Sequence, residues 1–393
     1  MKSPPSSSVI PYGCQSIDES DVAAVEAVLR SDWLTQGPAV PGFEQALCRR
    51  CEAGYGVVVS SATAALHIAC LTAGLGPGDR LWTSPNTFVA SANCARYCGA
   101  DVDFVDIDPA TWSLDVTALE RKLESASRTG GLPKVVIPVA FGGRSCDMRK
   151  LKTLSVRFGF TVIEDASHAV GASYAGRPVG CGDYADMTVF SFHPVKIITT
   201  GEGGAVLTND STYFERLQSL RSHGITRAAA KMQGASDGPW YYQMLELGFN
   251  YRMTDLQAAL GLSQLGRLDA FLDRRRYLAE RYDRLLAGLP LQLPVLMPVT
   301  ESAWHLYVIR LSLTRIATSH RAAFERLRNA GIGVNLHYIP VHLHPYYRSL
   351  GFAPGDFPQA EQYYREAISL PMYASLSDEA QDRIVGEVRS AIT

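Results

Sequence analysis

Short β-branched or apolar runs, closed by small polar turns and mostly followed by helix-forming sequence, constrain this chain most. They are Gly56–Val59, Arg80–Thr83, Asp101–Val105, Lys134–Ala140, Phe160–Ile163 and Met187–Phe192. Strands joined through helices run parallel, and a parallel sheet needs cover on both faces. The expectation is an α/β fold with a mostly parallel sheet between helices. Ligands of such sheets collect beyond the carboxyl ends of the strands. Ser61, Phe88, Asp165 and Lys196 all fall at such ends.

The stretch 186–207, DMTVFSFHPVKIITTGEGGAVL, holds the densest chemistry. An apolar strand ends in His193-Pro194, delivers Lys196 and enters the loop Thr199–Gly204 before a second strand. The glycines allow close backbone approach or positive φ. A lysine flanked by apolar residues loses its charge more easily than a surface lysine, as a nucleophilic amine must. A solvated lysine after a strand would show the same pattern. Ser60-Ser61-Ala62-Thr63 likewise reads two ways: as an anion site at the N-terminus of the helix from Ala64, or as an ordinary Ser/Thr cap.

Asp165 and Lys196 at neighbouring strand ends make an ion pair in one reading. In the other they face opposite ends of a planar cofactor. Pyridoxal phosphate needs an amine, an acid for its ring nitrogen, an anion cradle and an aromatic face. Lys196, Asp165, Ser61-Ala62-Thr63 with Ser191, and Phe88 offer these, and Lys196 then also serves as proton carrier.

The second half differs. Residues 227–242 form a polar, Gly-containing loop without a period. Tyr251–Asp255 caps one long helix over about 255–286, and Pro290–Pro298 is a connector. Leu306–Leu311 and Gly333–Leu336 read as strands; Arg321–Asn329, Gln359–Ser369 and Asp378–Ala391 read as helices. The expected organisation is a flexible tail over 1–12, a large domain over 13–265 and a smaller α+β domain over 266–393.

Composition excludes several classes. The chain has 393 residues, 47% hydrophobic and 19% charged, with formal net charge −2. That gives no basic footprint for nucleic acid, and no apolar run reaches the roughly 18 residues of a membrane span. The N-terminus lacks the apolar core of a signal peptide. The eight cysteines lie between Cys14 and Cys181 without the paired spacing of a zinc site, so reduced thiols in a cytoplasmic protein are expected. His337, His342 and His344 suit nucleotide contact or packing better than a metal, so no metal is expected. Gly74–Asp79 follows a helix and contains Pro77, so it is a turn and not a dinucleotide fingerprint.

The motifs SDWLTQGP (31–38), SATAAL (61–66), TFVA (87–90), VDID (105–108), EDASHAVG (164–171), FSFHPVKIITTGEGG (190–204), GFNYRMTDLQAALGLSQL (248–265) and the terminal LPMYASLSDEAQD run through nearly the whole chain. It resembles the DegT/StrS-type sugar aminotransferases, fold-type I pyridoxal-phosphate enzymes, and within them the 4-aminotransferases of the pseudaminic acid pathway. The resemblance implies a large domain around a seven-stranded sheet and a smaller C-terminal domain. It assigns Lys196 to the cofactor's aldehyde, Asp165 to its ring nitrogen, His168 to its phenolic oxygen and Phe88 to its ring face. Ala62, Thr63 and Ser191 match the phosphate cradle. Asn250 matches an asparagine reaching from the neighbouring subunit, implying a homodimer with shared sites. Tyr12, Asp32, Trp33, Leu34, Thr35, Ser61, Asn335, Leu336, His337 and Tyr338 correspond to sugar-nucleotide contacts. The implied reaction moves an amino group from L-glutamate to C4 of UDP-4-keto-6-deoxy-N-acetyl-L-altrosamine. Another keto sugar or a keto-cyclitol is the alternative, and a non-catalytic regulatory relative the remote one. Ala62 departs from the glycine many relatives carry there. Some relatives replace the lysine by histidine and are dehydratases; Lys196 argues for transamination.

Overall fold

A computed structural model describes residues 9–392. The central sheet contains β1 (Tyr55–Val59), β2 (Arg80–Thr83), β3 (Asp101–Phe104), β4 (Val135–Ile137), β5 (Thr161–Asp165), β6 (Met187–Ser191) and β7 (Gly204–Thr208), ordered β1-β7-β6-β5-β4-β2-β3. Only β7 runs against its neighbours. It follows β6 through a loop with no crossover helix, and such a return is antiparallel. The fold is therefore the α/β arrangement expected, mostly parallel and seven-stranded.

Side chains of one strand alternate between two buried faces. Val57 and Val59 pack with the helices Ala62–Thr72 and Ala90–Tyr97, while Val58 between them packs with Phe43, Leu47 and Phe190. Burial on both faces explains why these strands are apolar at successive positions instead of alternating. A further apolar layer joins Trp82, Val136 and Val162 to the helices Val116–Thr129 and Met148–Phe158.

The C-terminal part builds its own core on an antiparallel sheet of β8 (Leu291–Gln292), β9 (Tyr307–Leu311) and β10 (Ala367–Leu370). Tyr307, Ile309, Ile368 and Leu370 pack there against the helices His320–Asn329 and Asp378–Ile392.

Several sequence expectations need correction. The helix expected over 255–286 is two helices, Asp255–Gly266 and Leu268–Leu286, meeting at Arg267 with φ −104° and ψ 4°. Gly266 is a weak helix former, and at the break Arg267 turns to the N-terminal segment, donating to Ser16 O at 2.9 Å and pairing with Asp18 at 2.7 Å and with buried Asp21. The second helix then serves both cores: Phe271 and Leu272 pack under the large sheet, Leu278 and Tyr282 in the smaller core. The helix expected over Gln359–Ser369 stops at Glu366, because 367–370 is taken up as β10 beside β9. Gly333–Leu336 is not a strand; its pairing is a single bridge from Asn335 to Ser369. Of the tail expected over 1–12, residues 1–8 lie outside the described residues. Ile10 is buried, with its N–H on Gly331 O at 2.9 Å and its carbonyl accepting from Gly333 N–H at 2.6 Å. Residues 227–242 contain one turn of 3-10 helix, Ala229–Lys231, and are closed by the short hairpin of Ile225–Thr226 with Gln243–Met244.

All eight cysteines are free thiols. No helix among the described residues is long and apolar enough to cross a membrane.

Candidate active site

A cavity of about 520 Å³ opens at the carboxyl ends of β1, β5 and β6. Its floor is built by three strand ends. After β1, Ser61 caps the helix Ala62–Thr72, its Oγ accepting from Ala64 N–H at 3.1 Å. A helix leaves its first N–H groups unpaired; those of Ala62 and Thr63 take no hydrogen bond among the described residues, and both residues line the cavity. Gly204 permits this geometry. A Cβ there would stand 2.6 Å from Ala62 N and 2.7 Å from Ser61 C, so only glycine lets β7 press against the helix start.

β6 ends at Ser191, which also lines the cavity. The next turn is closed by Lys196 N–H on His193 O at 2.8 Å, and Thr199 Oγ1 ties the loop back to Phe192 O at 3.0 Å. The Lys196 side chain shows part of its surface to the cavity and is otherwise enclosed by protein. Its amine has no hydrogen-bond or ion-pair partner among the described residues. Burial lowers its pKa from 10.5 to about 8, with Asp165 opposing the shift.

Asp165, the last residue of β5, is 5% exposed. Its Oδ1 accepts from Ser167 N–H at 3.1 Å and its Oδ2 from Ser91 Oγ at 2.6 Å. His168 follows one turn later. Gly142 N–H donates to its Nδ1 at 3.3 Å, which leaves the ring hydrogen on Nε2, 3.1 Å from the Tyr338 hydroxyl. Burial first, then Lys196 and His337, holds its pKa well below the usual histidine value, so it stays neutral.

Segment 335–338 closes one wall. Tyr338 N–H donates to Asn86 Oδ1 at 3.3 Å, and the His337 carbonyl accepts from Tyr363 OH at 2.7 Å. His337 Nδ1 lies 2.8 Å from Ser369 Oγ, its ring 5.5 Å from Tyr12; burial brings its pKa down to about 3. His342 instead meets Glu361 at 3.0 Å. Phe88, 57% exposed, stands at the mouth 6.2 Å from the Tyr338 ring.

Tyr12, Ser61, Ala62, Thr63, Phe88, Asp165, His168, Ser191, Lys196 and Asn335, Leu336, His337 and Tyr338 thus share one cavity. Asp32, Trp33, Leu34, Thr35 and Asn250 do not line it and are exposed. The loop 31–38 is held by buried Asp255, which accepts from Gly37, Ala39 and Val40 N–H at 2.7, 2.8 and 3.3 Å.

Sequence reasoning missed His305, Thr87 and Ser91. The His305 ring lies 4.3 Å from that of His168, on the cavity wall, with its Nδ1 buried and without a hydrogen-bond partner among the described residues. It reaches there because Gly143, at φ +110°, lets the backbones of Trp304, His168 and His305 crowd where a Cβ would be, 2.7 to 3.1 Å away. The Phe141-Gly142-Gly143 strand ending was the available signal.

The family model of the DegT/DnrJ/EryC1/StrS aminotransferases matches residues 15–389. The chain belongs to this family. Among curated relatives, the spore coat polysaccharide biosynthesis protein SpsC of Bacillus subtilis is 39% identical over 98% of this chain and 97% of that protein. Among solved structures, Helicobacter pylori PseC, an aminotransferase involved in the biosynthesis of pseudoaminic acid, superposes with TM-score 0.88 at 31% identity, covering 98% and 99% of the two chains. The putative sugar aminotransferase Spr1654 of Streptococcus pneumoniae, in its PMP form, gives TM-score 0.87 at 32% identity over 97% and 98%; the same protein is also solved in a PLP form. DegT/StrS enzymes are sugar aminotransferases that depend on pyridoxal phosphate. The residues present fit that cofactor: free N–H groups for its phosphate, a buried carboxylate for its ring nitrogen and a partnerless amine of lowered pKa for its aldehyde.

Proposed function

We propose that this chain transfers the amino group of L-glutamate to the C4 ketone of a nucleotide-linked 4-keto-6-deoxy sugar, with UDP-4-keto-6-deoxy-N-acetyl-L-altrosamine as the leading substrate. The observation that carries the reading is the enclosed Lys196 amine, without a partner, in one cavity with the Asp165 carboxylate and the free helix N–H groups of Ala62 and Thr63. Likeness to PseC supports the sugar.

Bound pyridoxal phosphate would supply an aldehyde that exchanges oxygen for an amino group and a ring that draws electrons from the adjacent carbon. We assign the phosphate to the N–H groups of Ala62 and Thr63 and the Ser191 hydroxyl, where the helix dipole favours an anion. Phe88 would cover the ring, and the Asp165 carboxylate would hold a proton on its nitrogen. His168 donates from Nε2, fixed as donor by Gly142 N–H. With a pKa of about 8, roughly a tenth of Lys196 is neutral at pH 7, so it can take a proton from the substrate carbon and return it. Asn250, exposed on its own chain, is assigned to the phosphate of a second copy. The wall of Tyr12 and Asn335–Tyr338 is assigned to the sugar nucleotide, as is the loop Asp32–Thr35 of whichever copy borders the site.

Likeness to SpsC supports a second reading, amination of a different keto sugar, one used for a polysaccharide. The test is an absorbance spectrum of the purified protein with pyridoxal phosphate, before and after L-glutamate, beside Lys196→Ala, followed by mass analysis of products from a panel of UDP- and dTDP-linked keto sugars. We expect a glutamate-dependent spectral change that Lys196→Ala lacks, and amination of the 4-keto sugar. No spectral response in the wild type would end the aminotransferase reading; exclusive use of a 3-keto sugar would end the C4 assignment alone.

A further inference from the structure

Thr87 and Ser91 stand one helical turn apart where the chain enters the helix Ala90–Tyr97, and both are buried. Ser91 Oγ lies 2.6 Å from Asp165 Oδ2. A serine hydroxyl has one hydrogen to give, and the alternative acceptor, Phe88 O, is 3.4 Å away. The hydrogen therefore goes to the carboxylate, and the Ser91 oxygen is left to accept from Thr87 Oγ1 at 2.7 Å. The other carboxylate oxygen takes Ser167 N–H at 3.1 Å. Two donors from different elements thus hold the two oxygens, so the carboxylate cannot turn about its last bond without losing both. Thr87 lines the cavity and Ser91 does not, so the chain of hydroxyls runs from the cavity wall into the protein and out to Asp165.

We propose that Thr87 and Ser91 form a hydroxyl relay that positions the Asp165 carboxylate for the cofactor's ring nitrogen, with Ser91 as the positioning residue and Thr87 as its orienter. This rests on the assignment of Asp165 made above. Without Ser91 Oγ, one oxygen of a buried carboxylate has no donor. It then rotates toward another donor and no longer matches a protonated ring nitrogen. The loss falls on cofactor binding and on the proton-transfer steps. The sugar nucleotide, which meets other walls, is unaffected.

The relay makes a demand that a purely structural serine does not. In the relay Thr87 acts on Asp165 through Ser91, so the part of its effect that reaches Asp165 vanishes once Ser91 is gone. The experiment measures pyridoxal-phosphate dissociation constants, bound-cofactor spectra and single-turnover rates with L-glutamate for Ser91→Ala, Thr87→Val, the double variant and Asp165→Asn. Melting temperatures of the cofactor-free forms monitor folding. We expect Ser91→Ala to weaken cofactor binding and slow the single turnover by about 10-fold each, the range for a hydrogen bond to a charged group. Its bound-cofactor spectrum should shift toward that of Asp165→Asn, with the KM for sugar nucleotide unchanged. Thr87→Val should cost about 3-fold and nothing more in the Ser91→Ala background. If Ser91→Ala does not fold, Ser91→Cys, similar in size and a weaker donor, carries the test with a smaller loss in the same direction. Wild-type affinity and rate in the Ser91 variant, or additive losses for the two hydroxyls, would overturn the relay while Asp165→Asn remains impaired. An unimpaired Asp165→Asn would overturn the assignment of Asp165 itself.

Discussion

Lys196 shows how a residue's chemistry comes from what surrounds it. Enclosure lowers its pKa from 10.5 to about 8, and the Asp165 charge only partly offsets the shift. The direction follows from desolvation, which penalises the ammonium form. Only the neutral amine attacks an aldehyde, so below about pH 8 the reactive fraction falls tenfold per pH unit. The cofactor-free protein should take up pyridoxal phosphate at a rate that climbs to about pH 8 and then levels off, followed by absorbance. A rate still climbing to pH 10 would mean an ordinary, solvated lysine. The sequence leaves that alternative open, because burial depends on what the rest of the chain brings around the amine; His168, His305 and His337, from three separate segments, line the same cavity. Thr87 and Ser91 were illegible for a related reason. Ser91 meets Asp165 across 74 positions, and nothing in the local sequence of either names the other.

At the scale of elements, turn chemistry was legible and helix continuity was not. Glycines flagged in the loop after Lys196 do require special geometry: a Cβ at Gly204 would sit 2.6 Å from Ala62 N. Gly204→Ala should therefore push the helix start off β7, destabilising the fold by about 1–3 kcal/mol as overpacking does and weakening pyridoxal-phosphate binding. Denaturant titration and cofactor titration check the two effects, and a variant wild-type in both would show that the close approach does not matter. The apparent single helix over 255–286 was misread because its apolar period continues through the break; what divides it is Arg267 turning to Asp18 and Asp21. The helix expected over Gln359–Ser369 ends at Glu366 because pairing with β9, distant in sequence, overrides local propensity in the residues that follow.

Viewed as a whole molecule, one chain assembles most of the expected site but leaves Asn250 and the loop Asp32–Thr35 outside its cavity. Trp240, Tyr242, Met244, Leu245 and Leu247, just before Asn250, are exposed apolar residues. If a second copy supplies Asn250, two inactive variants should complement. Lys196→Ala and Asn250→Asp, co-expressed, place an intact Lys196 opposite an intact Asn250 in one site of each mixed dimer. Random pairing makes half the dimers mixed, with one working site of two, so about a quarter of wild-type activity should return. No recovery in mixed dimers isolated by differential tags would place Asn250 in the site of its own chain.

Local sequence is enough for the class of fold, the strand ends where chemistry collects, and the lysine, carboxylate and helix start that meet there. These follow from short-range patterns: apolar runs buried on both faces, Ser/Thr caps, and glycines where backbones touch. Long-range packing settles the rest: which imidazoles share the Lys196 cavity, that His168 carries its hydrogen on Nε2, and that Asp165 is held by Ser91. Burial and hydrogen bonding join residues far apart in the chain, and those contacts, not the residue types, set charge and orientation.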